Sequence, residues 1–237
     1  MDRIVTDVSR QSLSSWSPTT TATTHLYAYD NQLTEIPDSI GTLTHLTALD
    51  LAGNRLTGLP SALADCCELE YLYLHGNQLV TLLPDRLGRL SELLYLNVNG
   101  NPLLELPDAV GDLGSLAELR AESCGLTDLP GTTGHLSGLR ELHLRSNLIT
   151  DIPAAVGSLA DLRHLDLRDN RLTEIPAHLA GLGQLRSLDL RQNAIDTVPA
   201  VLLELRVLDK LDLRWNRVSD DDPTVRTLRQ RGCLVHV

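Results

Sequence analysis

The sequence predicts an α/β fold built as a single elongated stack of repeated units. Two observations lead to this prediction: Asn recurs at steps of 23 residues along most of the chain, and the apolar residues between successive Asn keep the same spacing. Neither a lone helix nor a lone strand has this spacing, so each unit must combine two kinds of segment. Such a stack replaces the one or two globular domains that 237 residues would otherwise suggest.

The unit at residues 162–184 shows how these segments follow one another. Leu165 and Leu167 alternate, as in a strand that buries one face, and later leucines of the unit are three residues apart, as in one turn of a helix. Asn170 lies between the two segments, where its amide can donate and accept hydrogen bonds as the chain turns. Pro176 suits the first position of a helical turn because it has no N–H to leave unpaired. Each unit is therefore predicted to be a strand, a turn and a short helical or extended return segment.

The same template fits nine units between Thr23 and Gln230. The Asn that follows each strand is Asn31, Asn54, Asn77, Asn101, Asn147, Asn170, Asn193 and Asn216. Cys124 takes this place in the fifth unit and is predicted to be a buried thiol with weaker hydrogen bonding. The unit between Asn77 and Asn101 is longer, and Leu82, Leu83 and Pro84 hold its extra residue.

The residues follow the pattern LxxLxLxxNxL and then xxLPxxLxxL. This pattern resembles leucine-rich repeat proteins, in particular the 23-residue repeats of the Ras-group and scribble-like families, and a bacterial source is expected. The resemblance implies a solenoid curved into a horseshoe arc, with a parallel sheet of about nine strands on the concave side and short helical or extended segments on the convex side. It also implies a protein that binds other proteins.

A stacked solenoid exposes its terminal layers, which predicts covering segments at both ends. Residues 1–22 are predicted to be an N-terminal cap, with a partner-binding arm as the alternative. Residues 23–230 hold the nine repeats, and residues 231–237 are a C-terminal cap segment that completes the last repeat. Asp220, Asp221 and Asp222 are three consecutive carboxylates, which could indicate a calcium site. Asp222 as the N-cap of a helix that begins at Pro223 accounts for them instead.

The net charge and the positions of the cysteines restrict the expected binding partners and the expected cellular compartment. A net charge of −11 argues against a nucleic-acid partner, because phosphate binding needs a broad basic surface. The four cysteines do not cluster at the ends, as the disulfide caps of secreted leucine-rich repeat proteins do, and the first residues hold no apolar run long enough for a signal peptide or a membrane span. We therefore expect a cytoplasmic monomer that contacts no membrane and needs no cofactor.

All five tyrosines fall at strand positions that face away from the predicted core, on the concave face. The predicted partner-binding residues of the first four units are Tyr27, Tyr29, Tyr71, Tyr73, His75, Leu94, Tyr95 and Asn97. The chain has no Phe, and its core-facing strand positions have no Tyr, so these rings do not serve the interior. Gly53, Gly76 and Gly100 keep the neighbouring surface low. Clustered exposed aromatic rings are common anchors of protein interfaces.

The later units carry charge on the concave face instead. Arginines recur at one strand position and aspartates two residues earlier: Arg145, Arg168, Arg191 and Arg214, with Asp166, Asp189 and Asp212. Neighbouring parallel strands are about 4.8 Å apart, which predicts two adjoining columns of opposite charge. Either the Asp column neutralises the Arg column on a solvated face, or the Arg side chains also engage carboxylates of a partner. Trp215 adds an exposed indole beside Arg214, which favours a binding role at that end.

No motif predicts catalysis or a metal site. The eight histidines are scattered, and the sequence has no HExxH, GxSxG, P-loop or CxxC pattern. The predicted function is a non-catalytic protein–protein interaction scaffold that binds a partner on its concave face. The alternative is a regulatory or recognition subunit of a signalling enzyme, namely a small GTPase, a kinase or a phosphatase. An open arc has no enclosed pocket, which argues against a small-ligand receptor.

Overall fold

A computed structural model describes residues 3–18, 20–82 and 86–237 of the chain. Its strands form one open parallel sheet, in which each strand pairs with the next one along the chain. In chain order, β1 to β11 are Val5–Asp7, His25–Tyr27, Ala48–Asp50, Tyr71–Tyr73, Tyr95–Asn97, Glu118–Arg120, Glu141–His143, His164–Asp166, Ser187–Asp189, Lys210–Asp212 and Leu234–His236. This order confirms the predicted solenoid, because every unit contributes one strand beside that of the unit before it.

The return segments of the described units are short 3₁₀ helices. They are Asp38–Thr42, Ser61–Asp65, Leu87–Arg89, Asp108–Asp112, Gly131–His135, Ala154–Ser158, Ala177–Gly181 and Ala200–Glu204. The last unit instead holds α1, Pro223–Gln230. Of the residues predicted to hold the extra residue, Leu82 is buried, whereas Leu83 and Pro84 lie outside the described residues.

Within the residues that the structure describes, the sheet has 11 strands rather than the predicted nine or so. The two additional strands, β1 and β11, lie at its ends. Each is three residues long and lacks the leucine spacing of the repeats, so the template could not find it. Thr6 and Val235 nevertheless lie in register with Leu26 and Leu211 of the neighbouring strands.

The repeated proline lies one residue earlier than predicted. Pro176 precedes the helix Ala177–Gly181, with φ −65° and an extended ψ of 138°. Its carbonyl oxygen accepts a hydrogen bond from Leu179 N at 3.1 Å, which closes the first 3₁₀ turn. The proline therefore fixes the backbone before the helix instead of occupying its first position.

The core fills the space between the sheet and the return segments. The alternating residues Leu165 and Leu167 are buried, and so are Leu179 of the 3₁₀ helix and Leu182 after it. The same arrangement repeats in neighbouring units, so the buried side chains form one continuous cluster along the stack. All four cysteines are free thiols, and Cys67 is exposed.

A ladder of buried or partly buried asparagine side chains holds neighbouring units together, as the sequence predicted for the turns. Asn77 is representative: its Nδ2 donates to the carbonyl oxygens of Leu51 and Leu74 at 2.9 Å, and its Oδ1 accepts from Leu56 N at 3.0 Å. One side chain thus satisfies backbone groups in its own unit and in the unit before it. Buried backbone groups need such partners, because an unpaired one costs roughly 1–3 kcal/mol.

The ladder has one gap, at Cys124. The buried Cys124 thiol donates weakly to the carbonyl oxygens of Val98 and Glu122 at 3.3 and 3.4 Å, and burial raises its pKa. An asparagine at position 124 would offer its Oδ1 to Leu103 N, but the thiol offers no such oxygen. Leu103 N donates instead to Asn101 O at 2.9 Å. The next residue, Leu104, has φ +61° and is 65% exposed. The missing amide therefore changes the backbone of the preceding turn.

The last helix begins as predicted. The Asp222 carboxylate accepts hydrogen bonds from Thr224 N at 2.9 Å and Val225 N at 3.1 Å, and Pro223 is the first helical residue. The second carboxylate oxygen of Asp222 accepts a hydrogen bond from Val198 N of the preceding unit at 3.2 Å. These bonds account for Asp222 as a helix cap. None of the helices in the described ranges has the length and apolar character that crossing a membrane requires.

Candidate functional site

The outer face of the sheet, which corresponds to the predicted concave face, carries two chemically different zones. The aromatic zone comprises Tyr27, Tyr29, Tyr71, Tyr73 and Tyr95, and the charged zone comprises Arg145, Arg168, Arg191, Arg214 and Trp215. None of the five tyrosines belongs to the buried core, and Tyr71 is 39% exposed. The strands place them outward because residues on either side of each buried leucine point to the opposite face of the sheet.

Three rings of the aromatic zone lie together. Tyr71 and Tyr95 are register partners on β4 and β5. The rings of Tyr73 and Tyr95 have centroids 4.9 Å apart and are tilted by 39°. Partial burial raises the pKa of both hydroxyls. This contact gives the face at β4 and β5 an aromatic surface whose rings are already held in position.

The other two tyrosines meet the segment that precedes the first unit. Arg3 Nη2 donates to the Tyr27 hydroxyl at 2.8 Å. The Arg10 guanidinium lies over the Tyr29 ring, 5.2 Å from its centroid, and its Nε is 3.3 Å from Asp30. Tyr29 is therefore partly covered by this segment and is separate from the Tyr73–Tyr95 pair.

A carboxylate lies within the aromatic zone. Asp50 shares a concavity of about 360 Å³ with Tyr27, Tyr71 and Tyr73. Burial raises the pKa of Asp50, against the opposing effect of Ala52 N, which donates to its Oδ1 at 3.0 Å. Arg3 also lines this concavity. The zone thus combines aromatic faces with a half-buried negative charge.

We predict that Asp50→Asn raises the melting temperature slightly at pH 7. Burial raises the pKa of Asp50, so the folded state disfavours the ionised carboxylate; the cost to stability grows as the pH rises above the unfolded pKa and is fully present above the folded pKa. Asn keeps the acceptor for Ala52 N without the charge. The difference between variant and wild type should shrink as the pH falls towards the unfolded pKa of about 3.9. Thermal unfolding between pH 7 and pH 4 measures this, and a lower melting temperature of the variant at pH 7 would contradict it.

The remaining predicted residues of the first four units differ in accessibility. Leu94 lines a concavity of about 430 Å³ together with Tyr71 and Tyr95, and His75 is exposed. Asn97 is only 9% exposed and donates to the Tyr95 hydroxyl at 3.2 Å. Its geometry is that of a residue that positions Tyr95, and it offers little surface of its own.

The arginines of the charged zone are mostly paired within their own repeats, each with the Asp that ends the strand two residues earlier. Arg191 Nη2 lies 2.6 Å from Asp189, and Arg214 Nη2 lies 2.8 Å from Asp212. The Asp212 side chain is fully buried; burial opposes its ionisation, but the hydrogen bonds and charge of Arg214 hold its pKa below the ordinary value. Arg168 pairs with Asp166 in the same way, at 3.2 Å. The neutralising role considered from the sequence therefore describes three of the four arginines.

Arg145 and Trp215 are the accessible members of this zone. Arg145 is exposed, and because its strand carries His143 where the later strands carry Asp, it makes no ion pair with any residue that the structure describes. Trp215 is 66% exposed, and the Arg214 guanidinium lies 5.5 Å from its ring centroid.

The backbone at Trp215 is unusual for so large a residue. Its φ is +62°, the left-handed conformation that this repeat position adopts throughout the stack and that Gly53, Gly76 and Gly100 fill in earlier units. A bulky residue is rarely found in this conformation, which costs of order 1–3 kcal/mol. An exposed indole at this position gains nothing from core packing, which favours a binding role for it.

Sequence reasoning missed two groups on this face. One is Asp50, and the other is the cluster of Glu118, Glu141 and His143 on β6 and β7. Both follow from comparing residues at the same strand position in adjacent units, since those residues become lateral neighbours in the sheet. The search for linear motifs could not detect them.

Comparison with known proteins identifies the repeat pattern. The family model described as Leucine rich repeat matches residues 23–79, 115–172 and 162–218, which together are more than half of the chain. No curated protein sequence matches the chain.

Several solved structures share the fold. The leucine-rich repeat ectodomain of the Arabidopsis thaliana membrane receptor kinase GASSHO1/SCHENGEN3, solved in complex with CASPARIAN STRIP INTEGRITY FACTOR 2, is 30% identical with a TM-score of 0.70; the match covers 84% of this chain and 28% of that one. An internalin from Listeria monocytogenes is 24% identical with a TM-score of 0.60, covering 92% and 74%. A Leptospira interrogans leucine-rich repeat protein is 24% identical with a TM-score of 0.50, covering 92% and 73%. The two bacterial structures support the fold alone, and this chain spans less than a third of the plant ectodomain.

Proposed function

Because the chain belongs to the leucine-rich repeat family, we propose that it is a non-catalytic scaffold that binds a protein or peptide partner on its concave face. The observation that carries this proposal is the aromatic zone. Tyr71, Tyr73 and Tyr95 are held together on the outer face of the sheet and take no part in the core. Aromatic rings of this kind supply much of the binding energy at protein interfaces, since they bury large areas with little loss of side-chain freedom.

The partner should present apolar or aromatic groups beside a cation to the aromatic zone. Asp50 supplies a negative charge there, and the neighbouring ring faces attract cations through their quadrupoles. A Lys or Arg next to an apolar side chain would match this combination. The plant receptor ectodomain was solved with a bound factor, which supports partner binding by this fold.

The charged zone should select among partners by their acidic groups. Arg145 is exposed and has no ion-pair partner among the described residues. Arg214 is paired with Asp212, but its side chain remains 42% exposed beside Trp215, so these two guanidinium groups are the most accessible to a partner's carboxylates. Arg168 and Arg191 are also paired with aspartates and are less exposed, at 24% and 19%, so they contribute less. In this proposal one end of the face provides anchoring, and the other provides charge selection.

Several finer assignments remain predictions. These are the Ras-group or scribble-like subfamily, the bacterial source, the monomeric state, the two terminal caps and a signalling role. A regulatory subunit of a GTPase, kinase or phosphatase remains the alternative function, which an identified enzyme partner would favour. The cytoplasmic setting also remains a prediction, and the likeness to a plant ectodomain does not favour it.

The double variant Tyr73→Ala/Tyr95→Ala tests the anchoring role. We expect it to lose most of the partner that co-purifies with the wild-type chain from a lysate of the source cells, because truncating interface anchors costs roughly 2 kcal/mol or more each. Quantitative mass spectrometry of the captured proteins measures the loss, and circular dichroism checks that the fold survives.

The matched control is Val80→Ala/Leu104→Ala. Both side chains are large, apolar and strongly exposed, at 60% and 65%, but they lie outside the strands. This control should capture the partner as well as the wild type does. Equal capture by the folded tyrosine variant would remove the basis for the aromatic zone as an anchor.

A further inference from the structure

We propose that Glu118, Glu141 and His143 form a binding site for one divalent transition-metal ion on the concave face. Their carboxylate oxygens and imidazole nitrogen all lie within 4.8 Å of one another. His143 Nε2 is 3.0 Å from Glu141 Oε2 and 4.0 Å from Glu118 Oε1. An ion with ligand distances of about 2.1 Å holds its ligand atoms roughly 3.0–4.2 Å apart, so both distances fit a shared ion.

The sheet itself builds this arrangement. Glu118 on β6 and Glu141 on β7 are register partners, so their side chains emerge next to each other. His143 follows Glu141 by two residues and therefore points to the same face. All three side chains are partly buried, which limits their freedom before an ion binds. A site on two paired strands is better positioned than one on loops.

The ligand set identifies the class of ion. One imidazole nitrogen and two carboxylate oxygens suit zinc, cobalt or manganese better than calcium, which prefers six to eight oxygen ligands. The ion would lie beside His143 Nε2 and Glu141 Oε2, which are 3.0 Å apart, and would bind the unprotonated form of that nitrogen. A concavity of about 390 Å³ opens in front of Glu141 and His143, with His164 in its lining. It leaves room for water or a partner's carboxylate to complete the coordination.

Arg120 is the internal competitor for this site. Its Nε contacts Glu118 Oε1, so its positive charge now neutralises one of the carboxylates. Its Nη1 also lies 3.8 Å from Glu122, which gives the guanidinium a second carboxylate to hold if an ion displaces it. We therefore expect that removing the Arg120 guanidinium strengthens metal binding, whereas removing one of the three ligands weakens it.

The test uses the full chain without an affinity tag, with Cys67→Ser in every protein so that no exposed thiol competes. Zn²⁺ binding is measured by calorimetry, and Co²⁺ binding by visible absorption, which reports the ligand geometry. We expect one ion per chain. His143→Ala and Glu141→Gln should each weaken binding at least about tenfold, the loss that even outer-shell partners of metal sites cause. Arg120→Gln should bind more tightly than the parent protein.

The matched control is His45→Ala. His45 also pairs with one glutamate, Glu68, at 3.1 Å, but it has no second carboxylate in a metal-binding group among the described residues. This variant should bind as the parent does. The proposal is overturned if the parent binds neither ion at millimolar concentration, or if His143→Ala and Glu141→Gln, both folded by circular dichroism, bind as tightly as the parent. It is also overturned if Arg120→Gln binds more weakly. The outcome is independent of whether the aromatic zone binds a protein.

Discussion

Asn147→Ala is expected to lower the free energy of unfolding by at least about 3 kcal/mol. The Asn147 Oδ1 accepts from Cys124 N at 3.0 Å and Leu126 N at 3.1 Å, and its Nδ2 donates to Ala121 O at 2.8 Å and Leu144 O at 2.9 Å. Leu144 O keeps a second donor, Asn170 Nδ2, so the substitution leaves three buried backbone groups without this partner. Each costs roughly 1–3 kcal/mol when unpaired.

Chemical denaturation followed by circular dichroism measures this loss. Gln78→Ala is the control, because Gln78 follows a ladder asparagine in sequence but is exposed. An exposed substitution of this kind should change stability by no more than about 0.5 kcal/mol. A loss below about 1 kcal/mol for Asn147→Ala would mean that water replaces the amide in the turn.

Gly111→Ala is the second substitution with a large expected effect, about 2–3 kcal/mol of destabilisation. Gly111 lies in the helix Asp108–Asp112, directly against the next return segment. An added Cβ would clash with the Thr132 backbone oxygen and would lie 2.6 Å from Thr132 Cβ. The oxygen belongs to the backbone, so no side-chain rotation relieves the clash, and the two return segments must move apart.

Gly114→Ala provides the comparison within the same unit. Nothing lies within 4 Å of a Cβ built at Gly114, and its φ is not positive. Alanine there should be neutral or slightly stabilising, because it restricts the unfolded chain. The melting temperatures of the two variants, measured side by side, test the contrast. Equal melting temperatures would show that neighbouring return segments separate without cost.

The parts of the fold that sequence predicted follow from local rules. Asn77 must satisfy the backbone where the chain turns, and Asp222 before Pro223 has the composition of a helix start, so both roles were recognisable. The strands β1 and β11 were not, because three residues that only continue an existing ladder need no leucine pattern. The placement of Pro176 before its helix depends on ψ, which the residue type does not determine.

The candidate site was predictable in its outline but not in its pairings. Alternation along each strand is enough to place Tyr73 and Tyr95 on the outer face. Arg191 lies 2.6 Å from Asp189 of its own repeat and 3.6 Å from Asp212 of the next, and which of the two is nearer depends on side-chain rotamers. The half-buried position of Asp50 depends on lateral register, and no single repeat contains that information.

The gap at Cys124 has a mechanical consequence. At every other interface between described repeats, an asparagine side chain forms hydrogen bonds to the backbone of both repeats. At this interface, a weak thiol hydrogen bond and a rearranged turn take its place. We therefore expect this interface to be the most flexible one between the described repeats. It also separates the half of the molecule that carries the tyrosines from the half that carries the arginines. Bending there would let the two halves close by different amounts around one bound molecule, because one carboxamide group is replaced by a thiol.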